Sequence, residues 1–175
     1  MMLANGKGGP FDRAKAFRFL RRAAELGHLE AIYSLGYCYM AGGMGNVRYP
    51  EDVLAQQPVP MDEKKGLELL NVAVAQGHGL AALRIAEYWE EQAENNPALL
   101  KRAVEWYEKG RALGEPNCFI HIADFHILGE VLPKDQKQAR MLYKQAAKAD
   151  DICAKSTAKQ RLEKIDELET LLKAE

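Results

Sequence analysis

Near its start the chain reads Gly6-Lys7-Gly8-Gly9-Pro10-Phe11-Asp12-Arg13-Ala14-Lys15-Ala16, followed by Ala23-Ala24-Glu25-Leu26-Gly27-His28. The pattern of this stretch returns along the chain, and the fold is predicted from that recurrence. The small residues that end successive units are Gly27, Gly77, Gly114 and Asp150. They are separated by 50, 37 and 36 residues. Such periods are typical of stacked helical hairpins once one longer loop is allowed for. The sequence therefore predicts a repeat protein, and solenoids built in this way usually serve as binding surfaces.

The first helix of each unit, here called helix A, has its core positions 4, 8 and 12 residues after the small residue that ends the preceding unit. The residues at these offsets are Ala31, Leu35 and Tyr39; Ala81, Ile85 and Trp89; Cys118, Ile122 and His126; and Ala154, Ala158 and Leu162. This spacing places one stripe along a helix of 3.6 residues per turn. Offset 9 is small in three units, at Gly36, Ala86 and Ala123. Small residues there allow a second helix to approach closely.

The second helix of each unit, helix B, has a recognisable start. Asp12, Asp62 and Asp135 stand four residues before a small residue, where Asp can accept the free N–H groups of the first turn. In the third unit Asn96-Pro97 supplies an Asn cap and a proline at the first helical position. Seven residues into helix B we predict core positions at Phe19, Leu69, Trp106 and Leu142.

Three segments of the chain resemble the Sel1-like repeat, a relative of the tetratricopeptide repeat. They are Ala31-Ile32-Tyr33-Ser34-Leu35-Gly36-Tyr37-Cys38-Tyr39, the loop and helix start from Gly6 to Ala16, and Asp135-Gln136-Lys137-Gln138-Ala139. The resemblance covers roughly residues 1–162, and the third unit departs from it most, because it lacks the Asp and the Gly-x-Gly loop. It implies an all-α fold, an α/α superhelical solenoid of stacked antiparallel helix pairs. It also implies a non-enzymatic scaffold or adaptor that binds a protein or peptide.

The pattern divides the chain into repeats and a terminal helix. We expect repeats over residues 1–150, as a partial unit 1–28 and full units 29–78, 79–115 and 116–150, followed by a capping helix over 151–175. The chain opens in the middle of a repeat, which indicates either an excised piece, such as a regulatory module of a larger protein, or an atypical natural start. After Asp150 the predicted helix has an apolar stripe of Ile165, Leu168, Leu171 and Leu172 on one side and charged residues on the opposite side. A solenoid cap needs such a helix, and self-association through its last turns is the other interpretation.

The composition of the chain limits the classes of partner that it can bind. With 24 basic and 25 acidic side chains the net charge is −1, which argues against nucleic acid as a binding partner. No apolar run approaches a membrane span, and the N-terminal residues are too polar and Gly-rich for a secretory signal. Cys38, Cys118 and Cys153 are an odd count without repeating pairs, unlike the cysteine-rich secreted members of the family, so we expect a reducing, cytoplasmic location.

A partner-binding trough is predicted on the face of helix A that lies opposite the core stripe. The residues placed on it or at its flank are Tyr33, Tyr37, Met40, Arg84, Glu87, Glu91, His121 and Asp124. The same positions in other units hold Leu83, Ile120 and Ile127. An aromatic patch beside an acidic one suits a peptide with apolar anchors and Lys or Arg. Packing of some of these side chains against the next repeat is the alternative.

A second candidate surface is the long loop of the first full unit. About 14 extra residues lie within 42–60, whose glycines and prolines exclude a simple helix extension. Insertions in solenoids often bind partners, but long loops are also well tolerated.

Catalytic and cofactor motifs give weak signals. Ser156 and Lys159 spell Ser-x-x-Lys, as in penicillin-recognising enzymes, but no Ser-Asp-Asn or Lys-Thr-Gly accompanies them. A β-lactamase-like hydrolase is therefore a minor alternative. Cys118 and His121 lack further ligands nearby, and His28 and His78 recur because the turn recurs. We predict a protein that is not an enzyme and has no metal and no cofactor.

Overall fold

The computed structural model describes residues 13–41 and 61–174, and the side chains of 16–41 and 61–167 within them. Eight α-helices make up this part of the chain, and it contains no β-strand. They are α1 (Arg13–Glu25), α2 (Leu29–Ala41), α3 (Glu63–Ala75), α4 (Gly79–Ala93), α5 (Leu100–Ala112), α6 (Pro116–Leu128), α7 (Gln136–Ala146) and α8 (Ile152–Ala174). The predicted all-α class is confirmed. The insertion at 42–60 and the predicted cap Asp12 lie outside the described residues.

The chain divides into two compact units, residues 1–84 and 85–175, which are described separately. In the first, helix α2 lies between α1 and α3. In the second, α6 packs on both α5 and α7, and α7 packs on α8. Within each unit, the helices that pack on each other mostly follow one another in sequence, including α2 and α3, which a long connection joins.

The glycines that end the repeats adopt left-handed backbone conformations. Gly27, Gly77 and Gly114 have φ values of 84°, 90° and 83°. The N–H of the next residue reaches back to close the preceding helix, as in His28 N to Ala23 O at 3.1 Å and His78 N to Ala73 O at 3.0 Å. This is the Schellman arrangement, and a residue with a Cβ atom would be strained at the glycine. The sequence register therefore marks helix ends.

The predicted caps of helix B are confirmed wherever the structure describes them. Asp62 accepts a hydrogen bond from the Lys65 N–H at 3.0 Å, and Asp135 accepts one from the Gln138 N–H at 2.9 Å. In the third unit Asn96 accepts from the Ala98 N–H at 3.3 Å. A 3-10 turn, Pro97–Leu99, lies between this Asn cap and α5.

Close approach of α2 and α3 depends on two glycines. A Cβ atom at Gly36 would lie 3.1 Å from the carbonyl oxygen of Gly66 and 3.1 Å from Leu70 Cγ. A Cβ atom at Gly66 would lie 2.7 Å from Met40 Cγ and 3.0 Å from the carbonyl oxygen of Gly36. Leu70 is fully buried beside them. The predicted role of small residues at offset 9 is therefore seen directly in this helix pair.

The core stripe of helix B lies one residue further along than predicted. Phe19, predicted to be core, is 58% exposed, and the equivalent Leu69 and Trp106 are only half-buried, although Leu142 is 1% exposed. The next residues, Leu70, Tyr107 and Tyr143, are buried at 0%, 0% and 1%. Position eight lies 40° from position four around the helix axis, whereas position seven lies 60° away on the other side. Position seven is therefore the edge of the stripe.

The final helix, α8, continues the register of helix A with one change. Ala154, Ala158 and Ile165 are buried, and the Ala154 N–H donates to Asp151 at 2.7 Å. At offset 9, where Gly36, Ala86 and Ala123 are buried, α8 carries the exposed Lys159. The face that receives helix B in the pair α2 and α3 is therefore polar in α8.

Candidate binding surface

The described residues 13–84 contain a cluster of two tyrosines and an arginine on helices α2 and α4, called the aromatic group below. The rings of Tyr33 and Tyr37 stack with centroids 6.5 Å apart and an interplanar angle of 22°. Arg84 lies with its guanidinium carbon 5.2 Å from the Tyr37 ring centroid, and its Nε donates to the Tyr33 hydroxyl at 3.5 Å. All three side chains are half-buried. The structure thus brings together three of the predicted site residues.

His78 extends the aromatic group, which sequence analysis missed by assigning this histidine to the turn alone. Its ring stacks on Tyr33 with centroids 4.4 Å apart and an angle of 18°, and its Nε2 lies 3.3 Å from Glu30 Oε1. Its Nδ1 accepts a hydrogen bond from the Ala81 N–H at 3.2 Å, so the side chain also caps the start of α4. Because both ring nitrogens and a ring face are engaged, the aromatic group is held in place by the repeat turn.

Met40, also predicted for the binding face, has a packing role. Its Cγ and Sδ lie above Gly66 at the contact of α2 with α3, while the side chain as a whole stays half-buried. Methionine adapts readily to such a gap because its side chain is unbranched. Part of this residue therefore belongs to the helix contact.

A tyrosine, a glutamate and a histidine meet within residues 85–167. The fully buried Tyr107 donates its hydroxyl to Glu90 Oε2 through a short hydrogen bond. His121 stacks on the Tyr107 ring with centroids 4.5 Å apart and an angle of 10°, and its Nδ1 lies 3.7 Å from the same carboxylate oxygen. Burial, and then the bond to Glu90, raises the pKa of Tyr107, so this phenol stays a donor. Glu90 was not predicted as a site residue.

The next repeat contains a similar arrangement around Asp124. Tyr143, which is 1% exposed, donates its hydroxyl to Asp124 Oδ1 at 2.5 Å, and Arg161 Nε lies 3.4 Å from that oxygen. Burial, followed by the bond to Asp124, raises the pKa of Tyr143. The predicted site residues His121 and Asp124 are therefore half-exposed members of networks that connect successive helices.

The other predicted residues of the trough differ in accessibility. Glu91 is exposed and Glu87 is half-buried. Leu83 and Ile120, predicted for the same face, are only 3% and 5% exposed, so they belong to the core and that interpretation was wrong. Offset 6 lies at the edge of the buried stripe, and an aliphatic side chain there can turn inward, whereas Tyr33 directs its hydroxyl to Arg84.

The described residues include few candidates for a catalytic or metal-binding site. Among them no group of three or more His, Cys, Asp or Glu side chains is arranged to hold a metal ion. Ser156 and Lys159 are both exposed on α8. Cys38 and Cys118 are buried and Cys153 is exposed, none of these three described residues is in a disulfide, and burial raises the pKa of Cys118. Within the same residues, none of the helices has the length and hydropathy needed to cross a membrane.

Paired helices and left-handed glycines at regular turns define a helical-repeat protein in the part of the chain that the structure describes. The Sel1 repeat is matched over residues 1–28, 29–49, 55–78, 81–115 and 121–151, and the chain belongs to the Sel1 repeat family. This family is generally a protein–protein interaction fold and is typically non-catalytic. No curated protein is similar enough to the chain to count as a match.

Two solved structures show the same fold. A Sel1 repeat protein from Oxalobacter formigenes aligns with a TM-score of 0.68 at 22% identity, over 90% of this chain and 58% of that one. The second structure is that of c5321, a protective antigen present in uropathogenic Escherichia coli strains, which displays an SLR fold. It aligns with a TM-score of 0.68 at 23% identity, over 92% of this chain and 30% of that one. The present chain thus spans little more than half of the first relative and about a third of the second. The α/α solenoid class is confirmed.

Proposed function

We propose that this chain is a non-enzymatic adaptor that binds a segment of a partner protein on the helix A surface, with the aromatic group as the main contact. The supporting observation is the arrangement of Tyr33, Tyr37 and Arg84, which stack and hydrogen-bond while remaining half-exposed. Preordered aromatic side chains offer large contact area at low entropic cost, and Tyr and Arg are enriched among the residues that dominate binding energy.

We propose a separate contact surface on the second compact unit, residues 85–175, which carries acidic side chains on its own helices. Glu87, Glu91 and Asp124 carry the negative charge of this surface, and His121 on α6 lies 3.7 Å from Glu90. Tyr143 and Arg161 orient the Asp124 carboxylate. We propose that these groups contribute to partner selection by charge, since charge at the rim of an interface mainly sets specificity and association rate.

Affinity capture from native lysate tests this proposal with substitutions on and off the surface. The purified chain is compared with Tyr37→Ala and with Glu87→Lys, alone and combined. Matched controls are Val72→Ala on α3 and Glu105→Lys on α5, both at exposed positions. We expect the controls to retain the captured proteins and the double substitution to lose them. Equal capture by all variants would show that the helix A surface is not the binding site.

We infer that α8 closes the array of repeats. Helix α8 packs on α7 and α6, its Ala158 and Ile165 are buried, and the exposed Lys159 replaces the small residue at which helix B approaches. Capping helices of solenoids have this combination of one apolar and one polar face. Sedimentation of the full chain and of a version ending at Leu162 distinguishes capping from self-association. A cap predicts a less stable monomer on truncation, whereas self-association predicts that a dimer is lost.

We also propose a reducing, cytoplasmic location. Support comes from the buried Cys38 and Cys118 and the exposed Cys153, none of which is in a disulfide among the described residues. Persistent free thiols are usual where glutathione and thioredoxin keep cysteines reduced. Fractionation of cells that make the native protein tests this, and recovery from an oxidising compartment would contradict it.

A further inference from the structure

Both tryptophans of the chain lie beneath cationic side chains of helix α5. The guanidinium carbon of Arg102 lies 3.7 Å from the centroid of the Trp89 ring on α4, and Lys109 Nζ lies 3.5 Å from the centroid of the Trp106 ring. Each contact holds a cation over the face of an indole, the side chain ring that attracts cations most strongly. Both indoles are half-buried, whereas Arg102 and Lys109 are exposed. The two cations are therefore held in place at the surface.

These cations lie on one side of α5, together with two large apolar residues. Arg102, Trp106, Lys109 and Leu113 follow one another at intervals of four, three and four residues, which places them within about 60° around the helix axis. Leu113, just after the helix, is 41% exposed. This set of four residues is called the α5 stripe below. The helices before and after α5 in the chain, α4 and α6, are both described, and they leave the cations of the stripe exposed.

The N–H groups of the two cations have no oxygen acceptor in the described residues. Arg102 and Lys109 each make a ring contact, and within that part of the chain neither forms a hydrogen bond or an ion pair. Of the two acidic residues of α5, Glu108 is paired with Arg111 at 2.6 Å. Glu105, at the flank of the stripe, is exposed and pairs with neither cation. The N–H groups of Arg102 and Lys109 are thus available to an acceptor from another molecule.

The spacing of the α5 stripe suits a helical ligand better than an extended one. Arg102 and Lys109 are seven residues apart, which corresponds to about 10 Å along the helix axis. Carboxylates seven residues apart on a second helix have the same separation and lie on the same side of it. In an extended strand, residues separated by about 10 Å are three positions apart and point to opposite faces. A helix alongside α5 can therefore place an acidic side chain at each cation and apolar side chains at Trp106 and Leu113.

We propose that the α5 stripe binds an acidic amphipathic helix of a partner protein. Carboxylates of the partner accept hydrogen bonds from Arg102 and Lys109, and an apolar side chain between them contacts the Trp106 indole. Single-stranded nucleic acid is a poorer fit, because each indole already has a cation over one face and the chain as a whole carries a net charge of −1. The α5 stripe consists of helix B residues and is distinct from the contact surfaces proposed above.

Binding of designed peptides to the full chain tests this proposal, measured by fluorescence anisotropy at an ionic strength of about 0.15 M. The probe is a labelled helical peptide that has Glu residues seven positions apart, Leu between them, and neither Trp nor Tyr. A second peptide has Lys in place of every Glu, and a labelled oligothymidylate forms the third arm. The main variant combines Arg102→Glu with Lys109→Glu. Its charge-matched control combines Lys144→Glu on α7 with Lys155→Glu on α8, both at exposed positions.

Tryptophan emission shows whether the peptide binds at the α5 stripe, because Trp89 and Trp106 are the only tryptophans of the chain. The Glu peptide should change this emission saturably, with the same midpoint as the anisotropy titration. Trp106→Leu, which keeps an apolar side chain at the position, should weaken binding about threefold through loss of the aromatic contact. Circular dichroism and urea unfolding verify that each variant remains folded.

We expect the Glu peptide to bind the unmodified chain and the charge-matched control equally. The variant with Arg102→Glu and Lys109→Glu should bind it about tenfold more weakly, since two attractive charge pairs become repulsive. The Lys peptide should not bind. Any of four results would overturn the proposal: no binding of the Glu peptide, binding that leaves tryptophan emission unchanged, equal affinity of the main variant and its control, or tighter binding of the oligothymidylate than of the Glu peptide.

Discussion

Gly36 of α2 and Gly66 of α3 lie against each other, each so placed that a Cβ atom on it would come within 3.1 Å of the other's carbonyl oxygen. The equivalent positions in later repeats are alanines, at Ala123 and Ala139, and both are fully buried. Helix pairs of this kind are the structural unit of the fold, because a small residue on each helix allows the backbones to approach and the flanking Leu70 to be buried.

Replacing Gly66 with Val should destabilise the protein by about 1–3 kcal/mol, because the added side chain overlaps Met40 and the Gly36 carbonyl and overpacks the contact. Urea unfolding followed by circular dichroism measures the loss. Ala75→Val, at an exposed position at the end of the same helix, controls for the cost of a β-branched residue in a helix. A Gly66→Val protein as stable as the Ala75→Val protein would contradict the close approach.

The bond between Tyr143 and Asp124 should contribute about 1 kcal/mol to stability. Tyr143→Phe removes the donor while preserving the buried ring. A double-mutant cycle with Asp124→Ala, which removes the acceptor, isolates the interaction, and we expect a coupling energy clearly above the error of urea unfolding. Strict additivity of the two substitutions would show that the bond contributes nothing in solution.

Local features of this fold were predictable from sequence, and contacts between helices were not. The caps Asp62 and Asp135 and the turn glycine Gly77 act within a few residues of their own position, so their chemistry can be inferred from the neighbouring sequence. The pairs Tyr107–Glu90 and Tyr143–Asp124 join different helices. Their partners depend on how far one helix slides and turns against the next, which periodicity does not determine.

For the candidate site, the sequence predicted which residues share an offset on helix A, but not which of them are exposed. Periodicity placed Tyr33 and Leu83 at the same offset, yet one is half-exposed and the other is buried. At the edge of a stripe a small rotation decides burial, and the chemistry of the side chain decides the rotation. Phe19 illustrates the complementary error, since it was predicted to be core but lies at position seven of helix B, the edge of the stripe, and is 58% exposed.

Alkaline pH should destabilise the protein through its buried phenols. The native pKa values of Tyr107 and Tyr143 are raised above the ordinary value of 10.0, mainly by burial. Below pH 10 both the native and unfolded chains keep these protons, and the stabilisation is fully present. Above pH 10 the unfolded chain releases protons that the native chain retains, so the free energy of unfolding falls. Urea titrations between pH 8 and 11 should show a smaller fall for Tyr143→Phe. If the free energy of unfolding fell equally with pH in the unmodified protein and in Tyr143→Phe, this assignment would be refuted.

The three thiols should react at different rates. Cys153 is exposed, whereas Cys38 and Cys118 are buried, and burial raises the pKa of Cys118 so that little thiolate forms near neutral pH. With Ellman's reagent at pH 8 we expect one thiol to react rapidly in the native protein and two more only after addition of urea. Cys153→Ser should abolish the rapid phase. Three equally rapid thiols would contradict the packing of α2 and α6.

Site-specific photo-cross-linking tests most directly the claim that helix A presents a surface for protein partners. A photoreactive phenylalanine derivative replaces Tyr37 in one preparation and Val72 in another, and each is irradiated in native lysate. We expect a discrete cross-linked partner from position 37, absent from position 72 and diminished when an Arg84→Ala substitution disrupts the aromatic group. The same cross-linked products from both positions, or none from position 37, would contradict it.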